Sequence, residues 1–63
     1  MTSLEVYLCG QNNGFDVTDG NIFADQWAAK FNSIPPRPAF SSINQACAWI
    51  AAMYEGPNPC GTG

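Results

Sequence analysis

Histidine is missing altogether from the chain, and with it the usual base that activates a serine or cysteine nucleophile. The same absence removes the common partner of cysteine at zinc, and none of Cys9, Cys47 and Cys60 stands in a Cys-x-x-Cys spacing. Positive charge is scarce: Lys30 and Arg37 face five acidic residues, for a net charge of −3. Neutralising phosphates takes a basic patch, so nucleic acid is disfavoured as a partner. Glu5, Asp16, Asp19, Asp25 and Glu55 are scattered along the chain, which gives no dense acidic array either. No apolar run reaches the roughly 18 residues of a membrane span, and no basic leader with an apolar region opens the chain. The expectation is a cytoplasmic protein with no membrane partner. No cofactor motif is present.

What the chain does have is apolar and aromatic residues. Hydrophobic residues make up 46% and charged ones only 11%, against about 25% charged in a typical soluble domain. One domain of 63 residues buries only about 60% of its unfolded surface. Four Phe, two Tyr and two Trp exceed what so small a core needs, so some are expected at an interface and the chain is expected to form a homo-oligomer. Trp49, Tyr54, Tyr7 and Arg37 are the candidate interface residues. The odd cysteine count predicts free thiols, with Cys9 and Cys47 buried as small hydrophobes and Cys60 alone reactive in a Gly/Pro-rich tail.

Residues 42–55 carry the clearest helical signal. Ser42 and Gln45 read as a capping box, Ile43, Ala46, Cys47, Ile50, Met53 and Tyr54 fall on one face, and Gly56-Pro57 stops the run. Trp49 lies about 100° from Ile50 on that helix, at the side of the stripe. Upstream, residues 4–9 alternate Leu4, Val6 and Leu8 against Glu5, Tyr7 and Cys9, which predicts a strand. Asn13-Gly14 suits a tight hairpin turn, with Phe15 to Val17 or Thr18 returning beside the first strand. Thr18 to Asn21 offers N-caps for a helix from Ile22 with Phe23, Trp27, Phe31 and Ile34 on its inner face. Pro35-Pro36-Arg37-Pro38 is extended, leaving residues 39–41 for a short third strand. The predicted fold is therefore α+β, in the order ββαβα: a hairpin and a short third strand covered on one face by two helices. Residues 1–56 make the domain and 57–63 a flexible C-terminal tail.

The order of elements, and residues 39–50 in particular (Ala-Phe-Ser-Ser-Ile-Asn-Gln-Ala-Cys-Ala-Trp-Ile), resemble the small hybrid-binding, or viroplasmin-like, domain that precedes the catalytic domain of type 1 ribonucleases H. The resemblance spans roughly Val6 to Met53. It implies an α+β fold and binding of an RNA–DNA hybrid. That family grips hybrids with basic and aromatic residues, and only Lys30 and Arg37 are basic here, so no binding residue carries over.

Other chemistry is thinly supplied. Asp16 to Asn21 offers oxygens to a hard cation, but no Glu follows at EF-hand distance and helix capping accounts for the residues. Asp16 and Asp19 also sit in a domain too small for a deep catalytic pocket. Pro35 to Pro38 matches Pro-x-x-Pro, the pattern that SH3-like grooves recognise, and also suits a linker between two helices. These readings point to a non-enzymatic interaction protein that binds, and inhibits or adapts, a protein partner whose identity no residue reveals. Small inhibitors of phages and mobile elements share these features. The alternative is a nucleic-acid module for RNA–DNA hybrids.

Overall fold

A computed structural model describes residues 1–32, 34–54 and 56–61. Its elements are three helices, α1 Ser3–Asn12, α2 Gly20–Phe31 and α3 Ile43–Met53. Among the described residues there is no strand, so the fold is all-α. The expected α+β architecture, with its hairpin, short third strand and ββαβα order, is overturned. The fold implied by the ribonuclease H resemblance goes with it. No described helix is long and apolar enough to cross a membrane. Helix α3 packs against both α1 and α2 and forms the centre of the arrangement.

Helix α1 stands where the first strand was expected. Thr2 and Glu5 form a complete capping box, the Glu5 amide donating to Thr2 Oγ1 at 3.1 Å and the Thr2 amide to Glu5 Oε1 at 2.8 Å. Two amides are thereby satisfied at a helix start, that of Glu5 being one the expected strand would have turned to a neighbour. The inward positions are Val6, Cys9 and Gly10, spaced three and four apart, whereas the alternating set splits: Val6 is buried but Leu4 and Leu8 are 64% and 51% exposed. Asn13-Gly14 then stops the helix instead of turning a hairpin. Gly14 takes φ +76°, its amide donates to the Gln11 carbonyl at 3.1 Å and that of Phe15 to the Gly10 carbonyl at 2.9 Å. These are the two bonds of a Schellman ending. The positive φ that makes Asn-Gly a hairpin signal serves equally here.

The two later helices start where their sequence signals place them. Asp19 caps α2, accepting from the Asn21 and Ile22 amides, and left-handed Asn32 ends it at φ +46°, short of the expected Ile34. Ser42 caps α3 by accepting from the Gln45 amide at 3.2 Å. The Gln45 side chain reaches one residue further back than a capping box requires, accepting from the Ser41 amide at 2.9 Å. Helix α3 ends at Met53, with Tyr54 extended, before Gly56-Pro57 can act. In place of a third strand, the backbone of Phe40 is held by one side chain: its amide donates to Asn21 Oδ1 at 2.8 Å and its carbonyl accepts from Asn21 Nδ2 at 3.1 Å. An asparagine on α2 thus does what a neighbouring strand would have done.

The core gathers Val6 and Cys9 from α1, Phe23, Ala24 and Trp27 from α2, and Ala46, Cys47 and Ile50 from α3. Around Trp27 the rings interlock: Phe23 stacks on it at 6.2 Å, while Phe31 at 4.8 Å and Tyr54 at 5.8 Å meet it edge-on. Trp27 Nε1 is buried and finds no acceptor among the described residues, a cost accepted for the ring's packing. All the aromatic residues lie in this core or against it, six of them half-buried, and the large apolar side chains most exposed are Leu4, Leu8, Ile22 and Met53.

The thiol expectation is overturned as well. Cys9 and Cys60 form a disulfide, with Cα atoms 5.6 Å apart. The free cysteine is Cys47, whose burial pushes its thiol up to about 11. Residues 57–61 of the segment read as a loose tail therefore return to α1, with Asn58, Pro59 and Cys60 half-buried there, and residues 62–63 lie outside the described residues.

Candidate functional site

Leu4 and Leu8 stand one turn apart on the outer side of α1 and form an apolar ridge there. A cleft flanks the ridge on either side. Toward α3 lies a shallow depression of about 420 Å³ lined by Leu4, Tyr7, Ile43 and Cys47. Toward the C-terminal segment lies another of about 470 Å³ lined by Glu5, Leu8, Asn12, Asn58 and the disulfide. Asn13 braces the second, its side-chain amide donating to the Cys9 carbonyl at 2.8 Å and to Cys60 Sγ at 3.1 Å. Lys30 of α2 donates in turn to Asn13 Oδ1. The ridge is thus carried on a helix fixed by a cap at its start and a covalent bond near its end.

The four residues singled out in the sequence do not meet in one place. Tyr7 lines the cleft beside Leu4. Trp49 is half-buried and rests its ring against Phe40 at 5.6 Å. Arg37, in the segment between α2 and α3, reaches across to α2, where its Nε and Nη2 grip the two oxygens of Asp25 at 2.7 and 3.0 Å and Nη1 donates to Asn21 Oδ1 at 2.9 Å. Tyr54 faces Trp27. Leu4 and Leu8 were missed because the strand reading placed them inside; the Thr2-x-x-Glu5 cap is the signal that would have turned them outward.

Among the described residues the carboxylates are committed to structure. Hydrogen bonding by the Arg37 guanidinium holds Asp25 below the usual carboxylate range and raises Arg37. The Thr18 hydroxyl and amide lower Asp16, and the Thr2 amide and hydroxyl lower Glu5. All three shifts favour the ionised form, the opposite of what a general acid at neutral pH needs. Asp16 accepts from Thr18 and from the Asp19 amide, and Asp19 caps α2, so both serve the turn before that helix. Among the described residues no group of three acidic, cysteine or histidine side chains could hold a metal ion. Comparison of the chain with protein-family models, with curated proteins and with solved structures finds no match.

Proposed function

We propose that this is a non-enzymatic protein-binding module, self-associating in solution, whose outer α1 face seats on another protein and inhibits or adapts it. The observation that carries the reading is the exposure of Leu4 and Leu8 on a helix held rigid by the Thr2–Glu5 box and the disulfide. Apolar surface leaving water contributes roughly 25 cal/mol per Å², and a preorganised helix loses little entropy on docking. The Tyr7 cleft beside the ridge offers a recess for a side chain of the partner. The RNA–DNA hybrid alternative has less support, since Arg37 is already engaged by Asp25 and Asn21 and the net charge of −3 repels phosphate. The disulfide favours an oxidising compartment over the expected cytoplasm, where thiols are kept reduced.

Sedimentation of the wild type and of a Leu4→Asp/Leu8→Asp double variant tests the self-association at about 0.1 mM, where pairs of even modest affinity are populated. The wild type should be dimeric or larger and the variant a folded monomer; a monodisperse wild-type monomer overturns that part. Affinity capture from the native host tests the rest. A protein retained by the wild type and lost by the variant supports the reading, and equal retention by both refutes the assigned face.

A further inference from the structure

The segment between α2 and α3 shows a three-residue periodicity that a strand would not produce and that Pro35, Pro36 and Pro38 bar a helix from producing. Ile34, Arg37 and Phe40 are half-buried, while Pro35, Pro36, Pro38 and Ala39 are exposed. One residue in three turns inward, which is the repeat of a polyproline II helix. Covalent geometry gives the same answer: the rings fix φ at residues 35, 36 and 38, and a following proline drives Pro35 and Arg37 into extended conformations, the chain bending at Ile34 as it enters the run. The inward edge is anchored at three points. Ile34 and Phe40 pack on the core. Between them Arg37 is forked onto Asp25 and bonded to Asn21, and the same Asn21 holds both backbone groups of Phe40.

A polyproline II helix is a three-sided rod, and a groove that receives it encloses two sides and leaves the third free. Here the free side is already occupied by the protein's own domain. The two outward edges, Pro35 with Pro38 and Pro36 with Ala39, are the pair a groove would take, and the two prolines of the first lie about 9 Å apart at 3.1 Å per residue. No donor among the described residues reaches the carbonyls of Pro35 or Pro36, so they remain open to a partner's hydrogen bonds. Arg37, the one cation of the segment, is tied to Asp25 and is not on offer. We infer that residues 34–40 are a preformed ligand for a proline-recognising protein module, one with an aromatic-lined groove that stacks on proline rings and needs no acidic pocket beside it. The surface is separate from the α1 ridge, which gives the protein two docking faces and makes it a connector.

Titration of the folded, oxidised protein against a panel of purified SH3, WW and EVH1 domains, followed by the resonances of the aromatic residues in each domain's groove, tests the inference. At least one domain should bind, and Pro35→Ala/Pro38→Ala should weaken that binding at least tenfold while leaving the circular dichroism spectrum unchanged, because both rings are exposed. Arg37→Ala should weaken it by a smaller factor, through lost preorganisation. The Leu4→Asp/Leu8→Asp variant should bind as well as the wild type, so failure here and failure of the α1 face are separable. Binding by no domain, or binding that survives the double proline substitution, overturns the inference.

Discussion

Opening the Cys9–Cys60 bond is the perturbation this fold should feel most. The two cysteines are separated by 51 positions, and removing a cross-link that closes a loop of that size returns entropy to the unfolded chain worth about 4 kcal/mol. A chain of this length has a total stability of about 3 to 9 kcal/mol at the usual increment per residue. The loss is therefore between nearly half and all of what holds the protein folded. Since 1 kcal/mol shifts the midpoint by about 4 to 8 °C in domains of this size, the melting temperature should fall by roughly 15 to 30 °C on reduction. Thermal melts followed by circular dichroism, with and without a dithiol reductant, read this directly. A Cys60→Ser variant should reproduce the reduced curve. Thiol counting by alkylation in denaturant provides the control: one reactive thiol, Cys47, before reduction, and three after. Three thiols before reduction would remove the bond from the fold, and a confirmed bond whose opening moves the melt by less than about 4 °C would refute the loop-entropy reasoning.

Two further predictions concern packing and titration. Gly10→Ala gains about 1 kcal/mol in helix propensity, but a Cβ there would fall on the ring of fully buried Phe23, and overpacking of up to about 3 kcal/mol should win, leaving a net loss of about 2 kcal/mol in urea denaturation; a variant as stable as the wild type would show that the ring can yield. Glu5, Asp16 and Asp25 have carboxyl groups lowered in the folded state, so their contribution is complete above the unfolded range near pH 4 and is lost as pH falls through the lower folded values. The melting temperature should be level above about pH 5 and decline below pH 4, Asp25→Asn should reduce that decline, and a melting temperature level down to pH 2 would refute the assignment.

The later half of the fold was legible because its signals were local and agreed with one another. Ser42, Asp19 and the spacing of Phe23, Trp27, Cys47 and Ile50 each specify a helix and specify nothing else. Helix α1 was read as a strand because its interior and its C-terminal end are ambiguous, although the Thr2-x-x-Glu5 box at its start is a helix signal. Leu4, Val6 and Leu8 satisfy a strand's alternation, while Val6, Cys9 and Gly10 satisfy a helix's, and which set is buried depends on the rest of the core. Asn13-Gly14 asks only for a positive φ, which a Schellman ending and a hairpin both use. Once α1 was read as a strand, Leu4 and Leu8 went inside and the apolar ridge disappeared from view. The disulfide was hidden for a different reason: pairing is a property of distance in space, and Cys60 reaches Cys9 only because the chain doubles back after α3. Arg37 was legible as a polar residue among prolines, but its partners Asp25 and Asn21 lie a whole helix earlier in the chain.

The disulfide also decides how this protein bears mechanical load. A pulling force applied at Met1 and Gly61 enters the covalent bond after residue 9 on one side and leaves at residue 60 on the other, so the intervening chain carries none of it. At about 3.5 Å per residue, only some 30 Å of α1 and its leader can be drawn out, compared with about 210 Å if the bond were open. Helices α2 and α3 sit inside a closed ring and bear no tension while the ends are stretched. Under tension the oxidised protein is a short, nearly inextensible link, and reduction turns it into a long, compliant one.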